Sequence, residues 1–589
     1  MPASALGRPW SSAARVLLSS LAVILCLATL PIAGFSPAAG EGSSVPGLSR
    51  EETLRLGERI YRDGILPSGE PSTAVLPGGN SVDGTMFSCV SCHLRSGLGS
   101  LEGEVLTPPT NGNILYKPWS SILEIQKQWT KGMGGSKRRY MHYLTRVGDF
   151  PKRPAYTDET LADAILGGAN PEGRELHGAM PRYTFSERDM AILIAYLKSL
   201  SKDPSPGVTE TTVRFATVIT EEVSRKERDE MLVPLERYLQ EYNHRQPSQS
   251  GGPGGGWSGG APRIVAHPAL PQVSLALWEL KGPPETWRGQ LEEYYRKEPV
   301  FALLGGISTK EWRPIHEFSE ANAIPCLLPI TDLPVVSATD WYTLYFSKGF
   351  YQEGETAAHH LARTEDPAPA GTVVQVYPDT PEGKAFAAGF RDAWSDSGRG
   401  PLVDRALPAG TPVTREYLEG ATGKDRRAVL VLWTGAEALP ALEAAAGKDD
   451  GISAIYLSAS LLKDGLLTVP ETLRERTYIT YPYGMSGTAP GTGMGKASRE
   501  ITDRRIGGKM VFLRSVLNEV FKSWQPNFYR DYMLDIIDCS LHLESDLITP
   551  YERISFGPNQ RYTSKGCFIV QLSKGVRPEL VRKSGWVIH

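Results

Sequence analysis

The sequence predicts a multidomain chain in which an all-α domain over residues 51–202 precedes an α/β domain over residues 211–572. Three observations predict it. At 589 residues the chain exceeds what one hydrophobic core holds together, since domains usually split at roughly 100 to 200 residues. As far as about residue 200, apolar positions recur at helical spacing. Beyond Lys202–Gly207, reading KDPSPG, β-branched runs alternate with helical patterns, the signature of a parallel sheet covered by helices on both faces.

Taken in order, Arg8 and Arg15 precede an apolar run from Val16 to Ile32, and small residues follow at Ser36, Pro37, Ala38 and Ala39. That order reads as an export leader over residues 1–38, with cleavage after Ala38. An uncleaved membrane anchor is the alternative, because the run approaches the roughly 20 residues that span a bilayer. Cys26 follows Leu25 rather than a small residue, so lipidation is not expected. The expected location is the periplasm, with the membrane involved only if the leader stays. Residues 39–50 are a polar tether. Ser49 then caps a helix carrying Glu51, Glu52, Leu54, Leu56, Ile60 and Tyr61. Further helices are expected over 118–131, 158–167 and 186–200, the last with Met190, Ile192, Leu193, Ile194, Leu197 and Leu200 on one stripe. Residues 203–210 form a linker.

In the second region, strands are expected at Val213–Thr220, Leu275–Leu280, Val300–Gly305, Val373–Tyr377, Ala428–Trp433 and Ile452–Leu457. Helices fall between them, at Lys226–Tyr242, Thr286–Lys297 and Trp312–Ala321. The Gly-rich stretch 246–262 buries no core and reads as a flexible insertion, with an interdomain linker as the alternative. Tyr551–Gln571 reads as a hairpin, and 573–589 as a C-terminal tail. With 41% hydrophobic and 22% charged residues, the chain is neither disordered nor a polytopic membrane protein. A net charge of -3 supplies no field for a polyanion, so no nucleic-acid partner is expected.

The chemistry concentrates at Cys89-Val-Ser-Cys92-His93, which matches C-x-x-C-H, the pattern for covalent attachment of haem c. Two thiols about one helical turn apart each add to a haem vinyl group, and the adjacent His faces the iron. A zinc ribbon would need a second CxxC pair, and none exists; a thioredoxin-like motif would follow a strand, whereas a Gly-rich loop precedes Met86 and Phe87. Of the other cysteines, an oxidising compartment permits one disulfide, for which Cys539 and Cys567 are preferred over pairings with Cys326; buried thiols are the alternative.

With these residues, 50–200 resembles the cytochrome c family. The resemblance implies that a Met in a loop before the last helix is the second axial ligand, and Gly178-Ala-Met180-Pro-Arg-Tyr183 is similar to that segment. His177 is an alternative ligand; Met190 reads as core, and Met133 and Met141 lie in a basic, Gly-rich stretch. Arg174 and Arg182 are candidate partners of the haem propionates. The carbonyl of Pro108 or Pro109 is the candidate to orient His93 through its other ring nitrogen. The basic residues of 131–153 offer either a docking patch for an acidic redox partner protein or a solvated surface.

Residues 211–572 resemble the type I periplasmic binding proteins of the branched-chain amino acid class, on the strand order and on the segments EPVFALLGGIST, IPCLLPITDLP and WYTLYFSKGFYQEGETAAHHLA. The resemblance implies two lobes with a ligand cleft between them. Gly306 and Ser308 after one strand, and Thr331 and Asp332 after the next, would bind the carboxylate of a small amino-acid-like ligand. Strand C-termini are where open parallel sheets bind ligands, so these positions also make sense without the resemblance. No nucleophile elbow of the G-x-S-x-G type occurs between a strand and a helix, the match GWSGG at 256–260 lying in the Gly-rich insertion; no H-E-x-x-H or G-x-x-x-x-G-K motif occurs, and His359-His360 point apart on a helix. The expectation is an electron carrier rather than a stand-alone catalyst, exported and carrying one haem, with a fused ligand-binding or docking domain. The alternatives are a solute-binding or sensing protein with an accessory haem, and a haem acceptor for a partner dehydrogenase.

Overall fold

The computed structural model describes residues 45–102, 105–118, 153–244, 271–364, 372–423, 428–446, 452–485, 505–524, 527–541, 554–556 and 560–588. The leader, residues 119–131 of an expected helix, the basic stretch with Met133 and Met141, and the Gly-rich insertion lie outside them.

The Ser49 hydroxyl accepts the Glu52 N–H and opens helix α1 (Arg50–Asp63), with Glu51 and Glu52 at the positive end of its dipole. A single turn, α2 (Val90–His93), carries the CxxCH residues. Helix α3 (Asp158–Leu166) starts from a Thr157/Thr160 capping box, and α4 (Glu187–Ser199) from Ser186. Gly57 lets α1 and α4 cross closely, since a Cβ there would lie 2.8 Å from the Ile192 carbonyl oxygen and against Tyr196.

This region is not purely helical, which corrects the all-α expectation. Strands β1 (Thr73–Val75), β2 (Ser81–Asp83), β3 (Ser100–Glu102), β4 (Val105–Thr107) and β5 (Arg182–Thr184) form a three-stranded sheet in the order β2-β1-β5 and a β3-β4 pair. Each strand has three residues, too few for alternation to show within loops rich in Gly, Pro and Ser.

The C-terminal region holds two sheets. The first contains β6 (Thr212–Thr220), β7 (Gln272–Leu280), β8 (Ala302–Leu304), β9 (Cys326–Leu327) and β10 (Thr343–Leu344), parallel, in the order β10-β9-β8-β6-β7. The second contains β11 (Val373–Pro378), β12 (Leu402–Leu407), β13 (Ala428–Leu432), β14 (Ile452–Ser458) and β15 (Thr477–Tyr481), parallel, in the order β12-β11-β13-β14-β15. Helices α5 (Arg225–His244), α6 (Trp287–Lys297) and α7 (Arg313–Ala321) serve the first sheet; α8 (Phe350–Arg363) and α9 (Pro381–Asp396) serve the second. Helices α10 (Arg505–Ser523) and α11 (Arg530–Leu541) return to the first lobe, where Leu513, Leu517 and Trp524 pack with Phe215 and Phe301. The second lobe has its own core around Val376, Leu430 and Ile455.

Beta strands β6 and β7 pair along their whole length, so the elements flanking 246–262 share one lobe. Two expectations at the end of the chain are corrected. β16 (Gly566–Leu572) joins the second sheet antiparallel to β15, and β17 (Leu580–Arg582) and β18 (Val587–Ile588) pair with it, so 573–589 is not a tail. Residues 561–564 do more than close a hairpin: they run beside 345–346 from one lobe to the other, with Tyr345 N–H donating to Arg561 O (2.9 Å) and Ser564 N–H to Phe346 O (2.8 Å). Neither is legible locally, because the partners are distant in sequence.

Candidate functional site

In the N-terminal region Cys89 caps the single turn α2, placing Cys92 and His93 on its next residues. Cys89 is half-buried and Cys92 exposed, while His93 is buried. The His93 Nδ1–H donates to the Pro108 carbonyl at 2.9 Å, which fixes the tautomer and leaves Nε2 as the nitrogen that carries the lone pair. Burial lowers the His93 pKa and so favours the neutral imidazole a metal needs. Burial also pushes the Cys89 thiol up to about 12.

Met180 is half-buried against the same apolar cluster as Cys89 and Val90. Its strand neighbour Tyr183 donates its hydroxyl to Phe87 O at 2.5 Å, tying the Met180 loop to the residues before Cys89. Arg182 donates to the Met180 carbonyl at 2.6 Å, and Arg174 pairs with Glu172 at 2.6 Å. Both expected propionate partners are thus engaged locally, Arg182 in shaping the Met180 loop. His177 is exposed, and its Nδ1 accepts the Ala179 N–H. The donor set, two thiols and an oriented neutral imidazole with a thioether nearby, fits a covalently held haem.

The second candidate site lies where β6 and β8 leave their sheet. β7 sits on the other side of β6, so the chain reverses its winding there, and such switch points are where open parallel sheets bind ligands. Gly306 has φ 95°, and a Cβ on it would lie 2.8 Å from the Trp312 ring and 2.9 Å from the Val218 carbonyl oxygen. Ser308 and Thr331 are both buried. The Thr331 hydroxyl accepts the Leu333 N–H (3.0 Å), and the Asp332 carbonyl accepts the Phe350 N–H (3.1 Å), so this pair shapes the turn entering the second lobe.

Sequence reasoning missed Glu222. Its Oε1 accepts from Thr220 (2.6 Å), Thr309 (3.3 Å) and Ser308 (3.4 Å), and Lys310 Nζ lies 3.9 Å from Oε2. Ser308, one of the hydroxyls expected to meet a ligand carboxylate, therefore already bonds a carboxylate of the chain. Only its place just after the strand Val213–Thr220 could have signalled it.

In the second lobe, Glu353 near the start of α8 is buried and accepts from Ser458 (2.8 Å) and Thr480 (2.6 Å). Burial raises its carboxyl to about 7. At the crossing segments Lys348 pairs with Glu355 at 2.7 Å. Lys565 donates to the Tyr562 carbonyl (2.7 Å) and lies 3.9 Å from the Tyr562 ring centre. Burial, with the charges of Lys348 and Arg561, lowers the Lys565 ammonium to about 7. His360 Nδ1 bonds the Tyr456 hydroxyl at 2.9 Å, and no metal-ligating cluster of His, Cys, Asp or Glu occurs among the described residues. Cys567 is a buried thiol in β16, so the preferred pairing with Cys539 on α11 is not made.

Residues 277–489 match the family described as periplasmic binding protein, a span running from the first lobe through β15. The C-terminal region is periplasmic-binding-protein-like. Solved structures with which this binding-protein-like region aligns include a fatty acid ABC transporter substrate-binding protein from Thermomonospora curvata (15% identity, 65% of this chain and 95% of that one, TM-score 0.41). Another is an ABC transporter substrate-binding protein from Sphaerobacter thermophilus (13%, 63% and 96%, TM-score 0.45). A third is a leucine-binding protein from Thermotoga maritima (13%, 63% and 98%, TM-score 0.42). No curated protein matches. Among the described residues no helix is long and apolar enough to cross a membrane.

Proposed function

We propose that the chain is a periplasmic solute-binding or sensing protein that holds a small ligand between the two lobes of its binding-protein-like domain and carries one covalent haem c. The observation that carries the reading is the reversal of winding at the ends of β6 and β8, the position where open parallel sheets bind ligands, with Glu222, Ser308 and Thr309 hydrogen-bonded together there. Glu222 sets the polarity of this position. A ligand carboxylate would meet a like charge there, so an amino-acid-like ligand presents its ammonium or a hydroxyl to this side. The test is thermal unfolding of the holoprotein with L-amino acids, the matching amines and the matching des-amino acids. A ligand at 100 times its Kd stabilises by about 2.7 kcal/mol, so amines and amino acids should raise Tm while des-amino acids leave it unchanged. If nothing in the panel at millimolar concentration moves Tm, the lobes are a scaffold and the reading falls.

The haem reading is favoured by a separate observation, the His93–Pro108 hydrogen bond. Cys89 and Cys92 would hold the group covalently, and His93 and Met180 would be ligands to its iron. Ligation by a thioether together with an imidazole would raise the reduction potential, which suits single-electron exchange with a redox partner protein. Pro108 keeps the imidazole oriented, and Arg182 keeps the Met180 loop in place. Optical spectra of the exported protein beside Met180→Ala test this. Haem that survives acid-acetone extraction, with a weak red charge-transfer band lost in the variant, is expected; extractable haem would sink it.

A further inference from the structure

Immediately after His93 the chain turns, with Leu94 in the left-handed region at φ 61°. The turn is held on two sides by its own domain: the Tyr61 hydroxyl donates to Leu94 O at 2.7 Å, and the Ser201 hydroxyl to Ser96 O at 2.7 Å. The third side comes from the binding-protein-like domain. The backbone N–H groups of Arg95 and Ser96 both donate to the Asp535 carboxylate on α11, at 3.3 and 2.9 Å. Asp535 is 4% exposed and Ser96 fully buried. Around this contact, Arg62 pairs with Asp531 (2.7 Å), and Tyr342 donates to Asp531 (3.1 Å). The Arg95 guanidinium lies 4.3 Å from the Trp341 ring centre, and Arg561 lies 4.1 Å from the same centre while making two 2.9 Å bonds to Asp538.

A buried carboxylate is costly unless its oxygens are satisfied, and here the two backbone N–H groups that satisfy it belong to the segment just past the imidazole. We infer that Asp535 is a positioning residue of the haem site, holding the Leu94–Gly97 turn, and through it His93, while bringing a negative charge from the second domain to that turn. This rests on the haem reading above. Hydrogen bonds and charge around axial ligands are levers on reduction potential, and a nearby anion favours the ferric state. Burial, with the neighbouring carboxylates of Asp531 and Asp538, raises the Asp535 carboxyl to about 7, so the comparison belongs at pH 8.5, where it is ionised.

The experiment uses the full holoprotein as parent, Asp535→Asn, Asp535→Ser and Asp531→Asn, with haem content, midpoint potential and the ferric low-spin resonance spectrum as readouts. Asparagine keeps the volume, and serine is smaller and still accepts a hydrogen bond, so a folding failure of one leaves the other to decide. Both Asp535 variants should keep one covalent haem, shift the ferric/ferrous constant about tenfold toward ferrous, about 59 mV for one electron, and alter the resonance spectrum. Asp531→Asn, which leaves the turn's N–H groups bonded, should leave the resonance spectrum as in the parent. Haem-loaded Asp535 variants with the parent's potential and spectrum would overturn the inference, as would Asp531→Asn reproducing their effect in full. A parent without covalent haem would instead overturn the haem reading, and the inference with it.

Discussion

Glu353 offers a test of the second lobe that needs no ligand. Its carboxyl is 2% exposed, and burial outweighs the donors Ser458 and Thr480 in raising it from 4.5 to about 7. Between those values the native state binds more protons than the unfolded chain, so the stability this group permits is fully present below pH 4.5 and lost as pH rises through 7. At about 1.36 kcal/mol per pH unit, the full loss is about 3.4 kcal/mol, of which about 2 falls between pH 5 and pH 7. Glu353→Gln removes the titration while its amide oxygen still accepts from the two hydroxyls. The new amide N–H group replaces an accepting carboxylate oxygen, at a cost of about 1 kcal/mol that does not change with pH. Denaturant unfolding at pH 5 and pH 7 therefore should show the variant gaining on the parent by about 2 kcal/mol across that interval. Asp535, which shares the sign, and His360, lowered to about 4 by burial and of opposite sign, cancel in this comparison. An equal difference between variant and parent at the two pH values would refute the argument that Glu353 is ionised at a desolvation cost.

Gly57→Ala should cost about 1 to 3 kcal/mol of stability in denaturant unfolding, because its Cβ would be forced onto the Ile192 carbonyl and Tyr196 where α1 crosses α4. Glu222→Gln should remove the discrimination between amines and des-amino acids in thermal-shift titrations while leaving the fold intact, since an amide can still accept from Thr220, Ser308 and Thr309. Unchanged discrimination would place the ligand elsewhere.

Much of this protein was decided by short stretches of sequence. The helices capped by Ser49 and Ser186, the strand at Val213–Thr220 and the alternation of strands and helices through Ile452–Leu457 follow from capping chemistry and periodicity, which act over a few residues. The CxxCH residues and Pro108 were likewise legible, because thiol spacing and an adjacent imidazole are local, and Pro108 lies only 15 residues from His93. Tertiary structure alone decided what meets across long separations. Glu222 reaches Ser308 from 86 residues away, and Asp535 reaches Ser96 from 439. The last strands, β17 and β18, find β16 rather than solvent. None of these pairings leaves a period or a motif behind. They depend on which strand ends and helix faces the fold brings together, and a buried carboxylate is tolerated only where donors from a distant segment arrive to satisfy it.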